Sequence, residues 1–215
     1  MESLEGGCVI VANGRFPSAE LPLRLLKEAK TIIACDGAVK TLYEKGIHPD
    51  AIVGDLDSIP AGLRERYADR IHHVEDQEIN DLTKSVCFAH TQGYREVLIL
   101  GATGLREDHT LGNISLLMDY AHLFKRVEML SDYGLFTPIL ETTTFASYPG
   151  QQISIFVLYP EGEISTEGLR WPIRRRKLTS WWQGTLNEAL GDQFTVTLSP
   201  DCRVIIYREA SHTKE

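Results

Sequence analysis

Val97-Leu98-Ile99-Leu100 runs directly into Gly101-Ala102-Thr103-Gly104-Leu105-Arg106-Glu107-Asp108-His109. A run that is apolar at every position reads as a strand buried on both faces, as in a parallel sheet. Behind it, Ile114, Leu117, Met118 and Ala121 fall at i, i+3, i+4 and i+7 after Asp108, the stripe of an amphipathic helix. Upstream, Leu82, Ser85, Val86 and Ala89 repeat that stripe, with Asn80 as N-cap and Gly93 as stop. Cys8–Ala12, Thr31–Ala34 and Ala51–Val53 are further short apolar runs, and Pro60, behind Ser58, suits the first position of another helix. Strand and helix in alternation predict an α/β domain with a mostly parallel, doubly wound sheet.

The texture changes after about Asp132, where Thr, Tyr, Phe, Gly and Pro accumulate and helical periodicity fades. Phe194, Val196 and Leu198 alternate with Thr195 and Thr197, Val204–Tyr207 is strand-like, and Ile153, Ile155, Val157 and Tyr159 share one face. Turns at Pro160-Glu161-Gly162 and Ser199-Pro200-Asp201 separate these runs. A smaller all-β, sandwich-like domain is expected, with the boundary placed between residues 1–135 and 136–215.

The chain has 215 residues, 22 Lys+Arg against 30 Asp+Glu, and a net charge of −8. With 43% hydrophobic and 24% charged residues it has the composition of a globular protein. The negative balance argues against nucleic acid as a partner, because phosphate neutralisation needs a basic face. No apolar run approaches the roughly 20 residues that span a bilayer. Cys8, Cys35, Cys87 and Cys202 are scattered without a Cys-x-x-Cys pair. The acidic opening Met1–Gly7 does not read as a secretory leader, so a cytoplasmic location is expected.

Open α/β sheets bind ligands at the carboxyl ends of their strands, and the unusual residues of this chain collect there. Asn13-Gly14 follows the first strand, Asp36-Gly37 the second and Gly54-Asp55-Leu56-Asp57-Ser58 the third, while Asp76, Glu78 and Asp81 precede a helix. Two carboxylates 4 Å apart repel by about 4 kcal/mol at an effective dielectric of about 20. A rim carrying Asp55, Asp57 and Asp81 therefore calls for a cation, and Mg²⁺ suits carboxylates combined with substrate phosphates. Arg106 offers a fixed fork, and Lys84, a turn after Asp81, a point charge, for a transferring phosphoryl group. No Walker A sequence is present.

These segments, in this order, resemble the thiamine pyrophosphokinase family over nearly the whole chain. Ala34-Cys35-Asp36-Gly37-Ala38 with Leu42-Tyr43 is similar to the family's Ala-Asp-Gly-Gly-Ala-Asn-x-Leu-Tyr segment. Asp50 with Val53-Gly54-Asp55-Leu56-Asp57-Ser58 carries its Gly-Asp-x-Asp-Ser motif. Asn80-Asp81-Leu82-Thr83-Lys84 resembles Thr-Asp-x-x-Lys, and Arg106–Asn113 resembles Arg-x-Asp-His-Thr-Leu-x-Asn. Thr166–Trp171 and Gly184–Glu188 resemble Thr-x-Gly-Leu-Lys and Ser-Asn-Glu segments of the second domain. Ala38, Lys40, Asn80, Leu105 and Leu186 depart from the family's usual Gly, Asn, Thr, Gly and Ser.

The resemblance implies transfer of the β,γ-diphosphate of ATP to the hydroxyl of thiamine, giving thiamine diphosphate and AMP. It implies a catalytic N-terminal domain, a thiamine-binding and dimerising C-terminal domain, and a homodimer with active sites at the interface. On that basis Asp55, Asp57 and Asp81, with Asp76 assisting, hold Mg²⁺. Asn13, Asp36, Gly37, Lys84, Thr103 and His109 face ATP, and Asp81, Trp182, Leu186 and Asn187 face thiamine. Arg106 braces the transferring group, and Asp108 either orients Arg106 or accepts the hydroxyl's proton.

Two other readings compete. Asp55-Leu56-Asp57 after a strand superficially fits an Asp-x-Asp phosphatase loop, although Arg106 and His109 have no part there. A nucleotide- or thiamine-binding protein without turnover is the other. Trp171, Trp181 and Trp182 are expected to pack in the core or at a dimer contact, or to stack on a cationic aromatic ligand. Arg174–Lys177 reads as a solvated hairpin turn, His72-His73 as a strand end and Cys35 as a small buried hydrophobe.

Overall fold

A computed structural model describes residues 6–159, 161–200 and 202–210. The chain divides into two compact units, Met1–Asp132 and Tyr133–Glu215.

The first unit alternates strand and helix: β1 (Cys8–Val11), α1 (Glu20–Glu28), β2 (Ile32–Cys35), α2 (Ala38–Glu44), β3 (Ala51–Gly54), α3 (Ala61–Arg66), β4 (Ile71–His73), α4 (Asp81–Thr91), β5 (Glu96–Leu100), α5 (Glu107–Tyr120) and β6 (Arg126–Leu130). Their order across the sheet is β6-β5-β1-β2-β3-β4, and every pairing is parallel. The chain thus steps outward from β1 to β4 and returns to β1's other side for β5. Strand order reverses between β1 and β5, the place at the carboxyl ends of an open sheet where a ligand crevice is expected. Residues of β1, β2, β3 and β5 are buried along their whole length, as expected for strands covered on both faces.

The helix readings around Asn80 and Asp108 hold. Asn80 accepts the Thr83 amide at 2.8 Å and caps α4, which buries Leu82, Ser85, Val86 and Ala89. Gly93 ends that region at φ 83°. Of the α5 stripe, Leu117 and Met118 are buried while Ile114 is half-exposed. Pro60 stands at the N-cap of α3 rather than inside its first turn, and α3 buries none of its residues. His72-His73 ends β4, and Cys35 is buried, accepting a hydrogen bond from Ser85 at 3.2 Å.

The second unit holds β7 (Gly134–Ile139), β8 (Thr143–Ala146), β9 (Gln152–Tyr159), β10 (Ile164–Glu167), β11 (Asn187–Glu188), β12 (Gln193–Leu198) and β13 (Arg203–Glu209). They form two antiparallel sheets, β11-β9-β13-β7 and β10-β12-β8. Ile153, Ile155, Val157, Val204 and Ile206 from one sheet meet Phe145, Ile164, Phe194 and Val196 from the other in a single apolar core, which makes the unit a sandwich. Phe145 and Phe194 stack with centroids 5.2 Å apart. Pro160 and Asp201, expected in turns, and Met1–Glu5 lie outside the described residues.

One expectation needs correction here and another is narrowed. Arg174–Lys177 is exposed but is not a hairpin turn. The segment runs beside β10, with Ile164 and Arg176 exchanging backbone hydrogen bonds of 3.0 and 3.1 Å. Of the alternatives for the three tryptophans, the core is excluded, since Trp171, Trp181 and Trp182 are 55%, 37% and 74% exposed, and a dimer contact or ligand stacking remains.

Candidate active site

The crevice at the reversal of strand order is a cleft of about 390 Å³. The β1–α1 loop contributes Asn13 and Gly14, the β2–α2 turn Gly37, and the β5–α5 loop Thr103, Leu105 and Arg106. The first turn of α4 supplies Asn80 and Asp81, and α5 supplies His109, Thr110 and Asn113. Two of the loops are zipped together: Gly14 donates to the Gly101 carbonyl at 2.6 Å and Arg15 to the Thr103 carbonyl at 2.9 Å. A Cβ on Gly14 would stand 2.4 Å from that Gly101 oxygen, so only glycine allows this approach. Asn113 donates to the Ala102 carbonyl at 2.8 Å and accepts from Asn80 at 3.3 Å, tying α4, α5 and the β5–α5 loop into one wall.

Beside the cleft, carboxylate oxygens of Asp36, Asp55 and Asp81 lie within 4.8 Å of one another. The β2–β3 register explains this. Cys35 is paired with Val53, so Asp36 emerges next to Gly54 and hence to Asp55. A Cβ on Gly54 would come within 2.6 Å of the Asp36 Cβ. The buried Lys84 ammonium lies 3.1 Å from Asp81 and 3.7 Å from Asp55. The one ammonium does not balance the three carboxylates. Asp36 Oδ2 accepts the Ser58 amide at 3.2 Å, while its buried Oδ1 has no hydrogen-bond partner. A buried unpartnered carboxylate oxygen is costly unless a cation completes it, so the donor set fits a hard divalent ion.

The ionisation of these groups follows from their surroundings. Burial pushes the Asp36 carboxyl up, against the Ser58 amide. The Asp57 amide, with help from Gln77 and Lys84, holds Asp55 below the usual carboxylate value. Burial works against the Lys84 charge, yet Asp81 and Asp55 outweigh it and raise the ammonium's pKa.

Asp57 and Asp76 stand outside the converging group. Asp57 is exposed and donates its amide to Asp55 at 3.3 Å, and Asp76 accepts the Glu78 amide at 2.8 Å within its own loop. The parting of Asp55 from Asp57 passes through Leu56, whose φ of 72° is unusual for a branched residue; the Arg64 guanidinium donates to its carbonyl. Arg106 forms a two-pronged pair with Asp108, Nε to Oδ1 at 3.1 Å and Nη2 to Oδ2 at 2.5 Å. That fork, with the His109 amide at 2.9 Å, holds the Asp108 carboxyl down to about 2. Asn113, Thr110 and Gly14 carry no individual role in the sequence reading, which places Gly14 at a strand end and the other two in the Arg106–Asn113 segment. For the first two the signal was their spacing from His109 and Arg106 on one helix.

In the second unit, Leu186 has φ 58° and is 73% exposed, and its amide donates to Ser154 at 3.3 Å. Trp182 is exposed in a short 3₁₀ turn, Trp181–Gly184. Asn187 is buried and spent on the Trp171 backbone, accepting its amide at 3.1 Å and donating to its carbonyl at 2.7 Å.

A parallel α/β unit with its cleft at a strand-order reversal, followed by an antiparallel sandwich, defines a class with solved members. The fold is similar to the crystal structure of thiamine pyrophosphokinase from Bacillus subtilis, with TM-score 0.79, 20% identity, and 96% of this chain and 100% of that one covered. It is equally similar to thiamin pyrophosphokinase from Candida albicans, with TM-score 0.79, 19% identity and 94% and 90% covered. Residues 23–129 match the family model "Thiamin pyrophosphokinase, catalytic domain" and residues 134–207 the model "Thiamin pyrophosphokinase, substrate-binding domain". The chain belongs to the thiamin pyrophosphokinase family. Among curated relatives, thiamine pyrophosphokinase 1 of Oryza sativa subsp. japonica is 28% identical over 229 residues, covering 92% of this chain and 84% of its own. Thiamin pyrophosphokinase 1 of Caenorhabditis elegans is 32% identical over 133 residues, 55% and 54% of the two chains.

Proposed function

We propose that the protein moves the β,γ-diphosphate of ATP onto the hydroxyl of thiamine, releasing AMP, in the cleft that the β1–α1 and β5–α5 loops line together with α4 and α5. The observation that carries this reading is the convergence of Asp36, Asp55, Asp81 and Lys84 beside a cleft that Asp81 and Arg106 line. Asp36, Asp55 and Asp81 would hold Mg²⁺, which when bound neutralises phosphate oxygens and draws charge off the phosphorus under attack. Lys84 balances part of the carboxylate charge from behind. Asn13, Gly37, Thr103 and His109 supply the walls along which ATP lies, and Arg106 braces the transferring group. A carboxyl held at about 2 is a weak proton acceptor near neutrality, so Asp108 acts by fixing the Arg106 fork rather than as the base. Asn187 would act on thiamine through the Trp171 segment it ties down, with Trp182 and Leu186 offering exposed apolar surface.

The exposed Trp171, Trp182, Leu186 and Leu190 of the second unit favour a homodimer that covers them, which light scattering of the eluted protein would detect. Free cysteines at all four positions fit a reducing, cytoplasmic location, and no helix among the described residues is long and apolar enough to cross a membrane.

The test is incubation with ATP, Mg²⁺ and thiamine, followed by mass spectrometry. AMP appearing in step with thiamine diphosphate is expected. ADP with thiamine monophosphate would replace diphosphate transfer by single phosphoryl transfer, and ATP binding without turnover would make the protein a sensor.

A further inference from the structure

Helix α1 begins without a cap of its own, because Ala19 at the N-cap has no side-chain acceptor. Its first amides would be orphans. Of these the Ala19 amide, together with the Ser18 amide just ahead of the helix, is met from far along the chain by Asp132, two residues beyond β6. The Asp132 carboxylate accepts the Ser18 amide at 2.9 and 3.1 Å, the Ser18 hydroxyl at 2.5 Å and the Ala19 amide at 3.0 Å. A charged acceptor at a helix start is both a strong hydrogen-bond partner and a counter-charge to the helix dipole.

Ser18 closes the loop that carries Asn13. That loop is fixed at its start, where Ala12 donates to Leu100 at 2.8 Å, and in its middle by Gly14 and Arg15 on Gly101 and Thr103. Asp132 provides the third anchor. It does not line the cleft, but it holds the far end of the segment that carries Asn13 and Gly14.

We infer that Asp132 is a positioning residue that holds the β1–α1 loop, and with it the nucleotide-side wall of the cleft, in the binding geometry. The inference rests on the reading that ATP occupies this cleft. A wall that must be ordered at each binding event weakens affinity for the ligand it touches and leaves the other substrate unaffected.

The test compares steady-state kinetics and melting temperature for Asp132→Ala, Asp132→Asn and Asn13→Ala against wild type. Asp132→Ala is expected to raise the KM for ATP about tenfold, with the KM for thiamine and kcat each within about twofold. Asp132→Asn keeps an acceptor oxygen and should fall between. A purely structural role would lower the melting temperature without separating the two KM values. An unchanged KM for ATP in folded Asp132→Ala overturns the inference; where that variant does not fold, Asp132→Asn decides in the same way. Equal rises for both substrates also overturn it. Should Asn13→Ala raise the KM for ATP while the Asp132 variants do not, the positioning role falls and the cleft assignment stands. Should none of them move it, ATP does not lie on this wall and both fall.

Discussion

Lys84 is the residue on which the acidic group turns. Lys84 is 3% exposed and its ammonium faces Asp55 and Asp81, so its removal would leave three carboxylates without a balancing charge. Breaking a buried pair costs several kcal/mol, and the partial exposure of Asp55 and Asp81 brings this to about 2 kcal/mol. Lys84→Met should therefore melt several degrees lower than wild type in EDTA, and millimolar Mg²⁺ should restore part of the loss. A Lys84→Met melting curve that ignores Mg²⁺ would sink the proposed cation site. Arg106→Lys replaces a fork by a point charge and should cut turnover by about tenfold or more; an unchanged rate would make Arg106 structural. For Asp108 the sign is fixed by its partners. A carboxyl depressed to about 2 keeps its pair with Arg106 at every pH above the ordinary carboxylate value, and loses it only as pH falls through about 2. Carboxyl ¹³C titration should place the Asp108 midpoint there, and a midpoint near 4 would show that the fork does not persist in solution. At this scale the sequence names the acids and the backbone decides which of them converge. The sequence placed every acid near the rim, but could not say that Asp36 joins Asp55 and Asp81, because the β2–β3 register and the left-handed turn at Leu56 decide that.

Elements were legible where one residue type could only mean one thing. Asn80 before an apolar stripe marks a helix start, and the structure gives it both the Thr83 amide at 2.8 Å and the Thr83 hydroxyl at 2.9 Å. Asn80→Ala should destabilise by about 1 kcal/mol, or a few degrees of melting temperature in a chain of this size. A variant that melts with wild type would show that the cap carries no weight. Strand β6 was invisible because Arg126-Val127-Glu128-Met129-Leu130 mixes charge into an apolar run. Glu128 is nonetheless buried, accepting from Arg126 at 2.8 Å, and a charge satisfied inside the fold reads in sequence as a charge in water. The tryptophans were legible only as alternatives, because sequence does not distinguish an aromatic packed in a core from one kept on the surface for contact.

For the whole molecule, alternation of strand and helix followed by a Thr- and aromatic-rich half was enough to name both layers of the architecture, since each period buries its apolar side in only one way. The location of the cleft followed from topology, because it lies at the carboxyl ends of the strands where the order reverses, between β1 and β5. Burial also sets the chemistry of the thiols. All four cysteines are free, three are buried and Cys87 is exposed, while burial pushes the Cys8 and Cys35 thiols up to about 12. A colorimetric thiol reagent should titrate one cysteine rapidly in the native protein and four in denaturant without reductant. Two or more fast thiols would contradict the packing of the core, and fewer than four on unfolding would reveal a bridge.

The closeness of Gly14 to Gly101, and of Gly54 to Asp36, has a consequence for how variation in such a chain should be interpreted. These positions carry no functional group, and what they contribute is vacancy. A survey that deletes side chains passes over them in silence, whereas one that adds a single methyl finds them among the least tolerant sites in the catalytic unit. Gly14→Ala would drive a carbon to 2.4 Å from a carbonyl oxygen and part the two loops, so activity should collapse while the sandwich unit keeps its fold. Sensitivity to substitution around this cleft is therefore a map of space withheld as much as of chemistry supplied, and the two maps need not share a residue.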